Sequence, residues 1–307
     1  MTIVVFGSIN MDLTTYAERL PRLGETLFGT SFNLAAGGKG ANQAVGAARL
    51  GAAVAFVGRV GQDMFGPAAR QALEQEGIDT AGLQTDPDHG TGLAVINVDR
   101  AADNAIVVIS GANMALDQND LDRAASQLAR ARLVLLQLEV PQAASQALAA
   151  RARQRGVRVV LDPAPAQPLP DEFLANVDVL TPNEVEAASL VGFPVDTMSA
   201  AQAAADQLRA RGPAAVIVKL GAQGAYCSSG EWSGQQPPFR VDSLDTVAAG
   251  DAFNAGLAVA LAEGAGLQPA VRWGAAAGAL ATTRRGAIPA MPSRDEVLAL
   301  LAERIKS

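Results

Sequence analysis

The sequence predicts an α/β fold built on a mostly parallel sheet with helices on both faces. Three observations carry that prediction. Short apolar, β-branched runs recur along the chain and are continuous rather than alternating. Helix-like stretches follow them, and glycines close several of those helices.

Taken in order, Ile3 to Phe6 reads as a short buried strand entering Gly7. Ala41 to Leu50 reads as a helix of small residues closed by Gly51, with Val54 to Val57 as the next strand. Pro67 to Glu76 is an amphipathic helix stopped by Gly77. Leu133 to Leu138, Val157 to Leu161, Val177 to Leu180 and Ala215 to Leu220 are further apolar strands. Helices are expected near 142–155, 183–191 and 200–211, the first and last closed by Gly156 and Gly212. Right-handed crossovers then put the loops that follow the strands on one edge, where ligands bind. Two stretches, 13–34 and 91–109, lack helical periodicity and hold β-prone pieces: Leu13 to Tyr16, Thr26 to Phe28, Leu93 to Val98 and Ile106 to Ile109. They are expected to pair as a small separate sheet, a lid over the ligand edge. Residues 1–12, 35–90 and 110–307 would then form the core. After residue 246 the chain is expected to be mostly helical, and it is rich in alanine.

Composition narrows the function. The chain has 307 residues, 24 Lys+Arg against 31 Asp+Glu, and a formal net charge of -7. That balance argues against nucleic acid and anionic membranes as partners. One cysteine, Cys227, excludes a disulfide framework, and one histidine, His89, argues against His-based metal sites and triads. No apolar run approaches the roughly 18 residues of a membrane span. No signal peptide is expected, because the chain opens Met1-Thr2-Ile3-Val4 without a cationic stretch and soon reaches Asp12. A cytoplasmic protein is the expectation.

Three clusters look chemical. Ala35 to Ala44 holds Gly37, Gly38 and Gly40 around Lys39, with Asn42 just beyond and a helix starting at once. The segment fits neither a Walker loop nor a dinucleotide fingerprint. It is either a turn that lets a helix pack closely, or a ligand-cradling turn to which Lys39 and Asn42 add polar donors. Asp245 to Asn254 places small residues ahead of Asp251. There Asp251 is either the cap of the following helix or a general base beside an anion hole of backbone N–H groups, and the two readings are compatible. Asn183 to Glu186 is a capping box that could also touch a phosphate or the water shell of Mg²⁺. Asn10, Asp12 and Glu139 stand at strand ends and could converge as a polyol pocket.

The segments Gly7-Ser8-Ile9-Asn10-Met11-Asp12, Gly37 to Ala44 and Asp245 to Asn254 closely resemble the signatures of the ribokinase (PfkB) family of carbohydrate kinases. The similarity runs along nearly the whole chain, through Pro21 to Thr26, Leu161 to Pro165 and Thr181 to Glu184. The resemblance implies a three-layer α/β/α sandwich with a small β-sheet lid, often a homodimer joined through the lids. It implies transfer of the γ-phosphate of ATP to the 5-hydroxyl of D-ribose. By that resemblance Asp251 is the base and the N–H groups of Ala248, Ala249 and Gly250 form the anion hole. Asn10, Asp12, Gly38, Lys39, Asn42 and Glu139 would hold the sugar. Asn183, Lys219, Gly221 and Gly224 would contact the nucleotide, with Glu186 near the Mg²⁺ waters. Asp245, Val247, Ala281, Arg284 and Gly286 match the positions of an activating K⁺. The chain departs from the family at Ala290, where a serine is a frequent last K⁺ ligand, at Ala275, and at Lys219, where threonine is frequent.

The alternatives are a kinase of the same family acting on another sugar, such as deoxyribose or fructose, or on a nucleoside. A non-catalytic sugar binder would be expected to have lost Asp251 or the glycines, and a dinucleotide oxidoreductase would need its fingerprint in the first βα unit.

Overall fold

The computed structural model describes residues 2–101 and 103–303. The ends of the expected core, Met1 and 304–307, and position 102 of the expected lid lie outside the described residues. The chain opens with β1 (Thr2–Phe6), β2 (Asn10–Tyr16), β3 (Ser31–Gly37), α1 (Lys39–Arg49), β4 (Ala53–Gly61) and α2 (Gly66–Gln75). It continues through β5 (Asp79–Asp86), β6 (Gly92–Val98), β7 (Asn104–Ile109), α3 (Gln118–Gln127), β8 (Ala131–Leu136), α4 (Gln142–Gln154) and β9 (Arg158–Leu161). Then come α5 (Asp171–Leu174), β10 (Val179–Leu180), α6 (Glu184–Val191), α7 (Met198–Arg209) and β11 (Ala215–Lys219). The last elements are β12 (Ala225–Ser229), β13 (Gly234–Gln236), α8 (Ala249–Ala262), α9 (Leu267–Ala281) and α10 (Arg294–Glu303).

The large sheet runs β13-β12-β11-β10-β9-β8-β1-β4-β5, parallel except at β11–β12 and β12–β13. Alternate residues of β1 show why its strands are apolar throughout. Ile3 and Val5 enter one buried cluster, with residues of α1, α2, α8 and α9. Val4 and Phe6 enter the other, with residues of α3, α4, α6 and α7. Both faces are therefore covered, giving three layers. Strand order reverses at β1, which lies between β8 and β4. Loops leaving β1 and β8 consequently diverge and open a crevice at the carboxyl edge, the usual ligand position in such sheets.

A second sheet of four strands has the order β3-β2-β6-β7. Its central pair, β2 and β6, is parallel across a long sequence separation. Asn10 lies opposite both Gly37 and Gly92. The small sheet thus carries Asn10 and Asp12 to the same edge as the β1 and β8 loops.

Several expectations are corrected. Thr26 to Phe28 forms no strand; the partner of β2 is Ser31–Gly37, so the glycine-rich segment begins inside a strand. The strand expected over Val54 to Val57 runs on to Gly61, because its second half pairs with β5, which periodicity did not reveal. The strand expected over Leu133 to Leu138 lies two residues earlier, at Ala131–Leu136, and the one expected over Val177 to Leu180 shrinks to Val179–Leu180. The antiparallel edge β12–β13 and helix α3 also went unforeseen; α3 is polar along most of its length and carries its own capping box at Asp117.

Candidate active site

Helix α1 begins against the turn after β1. Gly38 has φ +88°, a left-handed conformation that an L side chain strains. A Cβ on Gly40 would lie 2.7 Å from both the N and O of Ser8 and 2.8 Å from the carbon of Gly7. Glycine is therefore needed for the approach, and the Ala41 N–H donates to the Ser8 carbonyl at 2.9 Å. The Glu139 carboxylate, just past β8, ties the two loops together. Its Oε2 accepts from Ser8 Oγ at 2.5 Å and from the Lys39 N–H at 3.0 Å.

Asp251 is the third residue of α8 and is buried, 4% exposed. The capping reading of this residue is overturned. The N-cap is Ala248, and no side chain caps the helix. Asp251 turns inward instead: Oδ2 accepts from Asn42 Nδ2 at 2.9 Å and Oδ1 from Gln43 Nε2 at 3.0 Å. Burial raises its pKa above the ordinary carboxylate value, the Lys39 charge opposes that rise, and Asp162 adds to it. Burial alone would lower the Lys39 pKa, but the surrounding charges of Asp251, Asp162, Glu139 and Glu186 hold it raised. Lys39 therefore stays cationic.

Ala248 has φ +58°, which costs an alanine about 1–3 kcal/mol. This conformation starts α8 without a side-chain cap. Ala249 N–H donates to the Thr246 carbonyl at 3.2 Å. Ala248 and Gly250 N–H have no acceptor among the described residues. A first helical turn with unpaired N–H groups attracts anions.

Of the expected sugar residues, Asp12 is half-buried beside Gly37, where a Cβ would lie 2.1 Å from its Oδ2. Burial, and then repulsion from Glu139, push Asp12 up to about 6. Asn10 Oδ1 accepts from Asn113 Nδ2 at 2.7 Å, and Asn113 also brackets the backbone of Ile9. Asn42 Oδ1 is buried without a donor.

On the far side of Asp251 the capping box at Asn183 and Glu186 is formed in both directions. Burial, and then the Asp162 charge, raise the Glu186 pKa. Lys219 ends β11, bridges to Asn183, and pairs with Asp162 at 3.1 Å. Gly221 and Gly224 bound a tight turn that follows, both at positive φ. Of the five expected potassium positions, Asp245 and Val247 precede α8, Ala281 ends α9, and Arg284 and Gly286 follow it; the Leu244 and Asp245 N–H groups on the Thr282 carbonyl join the two stretches. Asp245 accepts from Val247 N–H at 3.0 Å and from Gly286 N–H at 2.9 Å. Arg284 N–H points to the Ala281 carbonyl at 3.5 Å, and the Arg284 side chain pairs with Glu296. Among the described residues no group of three or more His, Cys, Asp or Glu side chains is arranged to hold a metal.

Sequence reasoning gave no role to Gln43, Asp162, Asn113 or Gln137. Gln43 Nε2 joins Asp251 to Asp162 Oδ2, 3.0 Å from each, and Gln137 Nε2 holds Gln43 Oε1 at 2.7 Å. A usable signal existed for Asp162, which follows a buried strand as Glu139 does.

The pfkB family carbohydrate kinase model matches residues 1–294. The chain is 42% identical over 300 residues to the ribokinase of Haemophilus influenzae, with 98% of both chains covered. It is 40% identical over 302 residues to the ribokinase of Bacillus subtilis, covering 98% of this chain and 99% of that one. The structure of Arabidopsis thaliana ribokinase complexed with ribose and ATP superposes with a TM-score of 0.90 at 36% identity, covering 97% of this chain and 98% of that one. The chain belongs to the pfkB family of carbohydrate kinases.

Proposed function

We propose that the protein transfers the γ-phosphoryl group of ATP to the 5-hydroxyl of D-ribose. One observation carries the chemistry: a buried carboxylate, Asp251, sits on the first turn of the helix whose free N–H groups can take the phosphates. The sugar oxygen forms a bond to the γ-phosphorus as the bond to the β–γ bridging oxygen breaks. ADP leaves with that electron pair, and Asp251 takes the hydroxyl proton. Its raised pKa suits a base that must accept a proton near neutral pH. The N–H groups of Ala248 and Gly250, with Ala249 if its long bond to Thr246 yields, meet the developing charge. Each such donor is worth about 2.7–4 kcal/mol. Asn42, Asp12, Asn10, Glu139, Gly38 and Lys39 line the sugar side. A sugar hydroxyl would supply the donor that the buried Asn42 Oδ1 lacks.

The Glu186 carboxylate fits the outer water shell of a Mg²⁺ that arrives with ATP. A cation held chiefly by phosphates and water needs no protein cage. Magnesium would neutralise phosphate charge during transfer. The Asp245 carboxylate, with carbonyls of the adjoining backbone, would supply oxygen donors of the kind a monovalent cation accepts. K⁺ is therefore expected to raise turnover, and Asp245→Ala to abolish the response; equal rates in K⁺ and in choline would contradict this. The small sheet would close over the sugar as a lid. Its outer strand β7 exposes Ile106, Val107, Val108 and Ile109, each more than half exposed. A homodimer joined through these lids is expected, dissociating on Val107→Asp in light scattering.

Asp12 makes a separate prediction. Its folded pKa lies above the unfolded value, so its ionisation costs the empty protein stability as pH rises from 3.8 to about 6. Sugar hydroxyls donate to the ionised form, so ribose affinity should rise severalfold between pH 5 and 7.5. Calorimetric titration of Asp12→Asn should show weak binding without that pH dependence.

An assay of ADP release over ribose, deoxyribose, fructose and a nucleoside tests the assignment. Ribose is expected to turn over fastest. A faster deoxyribose or nucleoside would change the substrate, and no ADP with any of them would overturn the kinase reading.

A further inference from the structure

Lys219 is better placed for the reacting phosphate than a general nucleotide contact requires. Its side chain is 13% exposed, and its Nζ lies 3.1 Å from Asp162 Oδ1, itself 3% exposed. A Cβ added to Gly250 would lie 3.5 Å from that same nitrogen. The ammonium thus stands against the first turn of α8, beside the N–H groups that await an anion. The same nitrogen lies over the ring of Phe253, 5.9 Å from its centroid. Asp162 in turn shares Gln43 Nε2 with Asp251. An unbroken chain therefore links Lys219, Asp162, Gln43 and the candidate base. Pairing alone is a poor reason for two charges to be buried, because desolvation offsets most of their attraction. Asp162 accepts one of the three ammonium protons and leaves two for another acceptor.

We propose that Lys219 is a catalytic cation that contacts the equatorial oxygens of the transferring γ-phosphoryl group, with Asp162 as its positioning residue. The inference rests on the phosphoryl-transfer reading above. As the sugar oxygen bonds to phosphorus and the bridging oxygen departs with ADP, the proton still goes to Asp251. Lys219 keeps its own protons and offsets the charge spread over the three phosphoryl oxygens. Because that charge is redistributed in the transition state, its loss should appear in turnover more than in sugar affinity.

The test compares Asp162→Asn with Asp162→Asn/Lys219→Met, using ATP and ribose at saturation. Methionine keeps most of the length of the lysine side chain without its charge, and the asparagine background leaves no unpaired buried carboxylate behind. If pairing with Asp162 were the lysine's whole role, removing it from this background would change nothing. The proposal expects the double variant to turn over at least tenfold more slowly than Asp162→Asn, with the KM for ribose within about threefold. A turnover ratio below tenfold, or a loss that falls wholly on the ribose KM, overturns it. Thermal unfolding of both variants shows that each is folded, and Lys219→Arg in the otherwise native chain should recover part of the rate. Wild-type protein that released no ADP would defeat the kinase reading instead, so the two failures are distinct.

Discussion

Asp251→Asn is expected to lower turnover by about 10²-fold or more, while ribose still binds with an affinity within about threefold of the native value. The amide can accept no proton from the sugar hydroxyl, but it keeps the volume and most of the contacts of the carboxylate. Asn42 Nδ2 and Gln43 Nε2 both donate to Asp251, so an amide there must turn one donor away. That loss costs about 1–3 kcal/mol. Against it stands the relief of removing a buried charge. Burial raises the folded pKa of Asp251 above its unfolded value, so the native chain loses stability as pH rises through that raised pKa. The variant has no such term. Its thermal midpoint at pH 7.5 should therefore match or exceed the native one, and the difference should vanish towards pH 4. A stable, sugar-binding and inactive protein is the expected outcome. Native turnover in the variant would remove Asp251 from the role of base.

The second large effect is expected from a single methyl group. Gly40→Ala places its Cβ 2.7 Å from the Ser8 backbone N and O, and neither atom is the far end of a flexible side chain. Helix α1 must lift from the β1 turn, stretching the Ala41 to Ser8 bond and pulling the Lys39 N–H from Glu139. Overpacking of this kind costs about 1–3 kcal/mol. The sugar side is built on the same contact, so ribose affinity should fall at least tenfold with it. Gly230→Ala is the matched control. Its Cβ would meet only Arg209 Nη2 at 3.8 Å, so stability should stay within about 0.5 kcal/mol of native. Calorimetry and denaturant unfolding of the pair separate the packing cost from the general cost of a substitution. Equal behaviour of the two variants would contradict the close approach of α1 to β1.

Continuous apolar runs such as those of β1, β8 and β11 made the parallel sheet legible, because strands buried on both faces carry little polar alternation. Elements with less apolar signal were not legible. Helix α3 and the antiparallel strands β12 and β13 are held by capping, by neighbouring strands and by local turns, none of which periodicity reports. The lid was read in its β-prone pieces but not in its pairing. The parallel match of β2 with β6 joins residues some eighty positions apart, and nothing local encodes it.

The site shows the same division. Asp251, Lys39 and Asn42 stood out because charged or amide residues flank small ones at helix starts. The distinction between a capping Asp251 and an inward-facing one was not in the sequence. It depends on Ala248 taking a left-handed conformation and on α1 presenting two amides across the crevice. The Lys219 to Asp162 pair spans two strands, and Gln43 reads as one more polar residue on a small-residue helix until the sheet brings Asp162 beneath it.

The most direct measurement is the phosphorus NMR spectrum of the product formed from ATP, Mg²⁺ and D-ribose labelled with ¹³C at C5 alone. If Asp251 deprotonates the 5-hydroxyl in line with the γ-phosphate, ADP and ribose 5-phosphate appear in equal amounts, with the ester phosphorus split by its two-bond coupling to the labelled C5. A phosphoester signal without that splitting, or ADP matched only by inorganic phosphate, would contradict it.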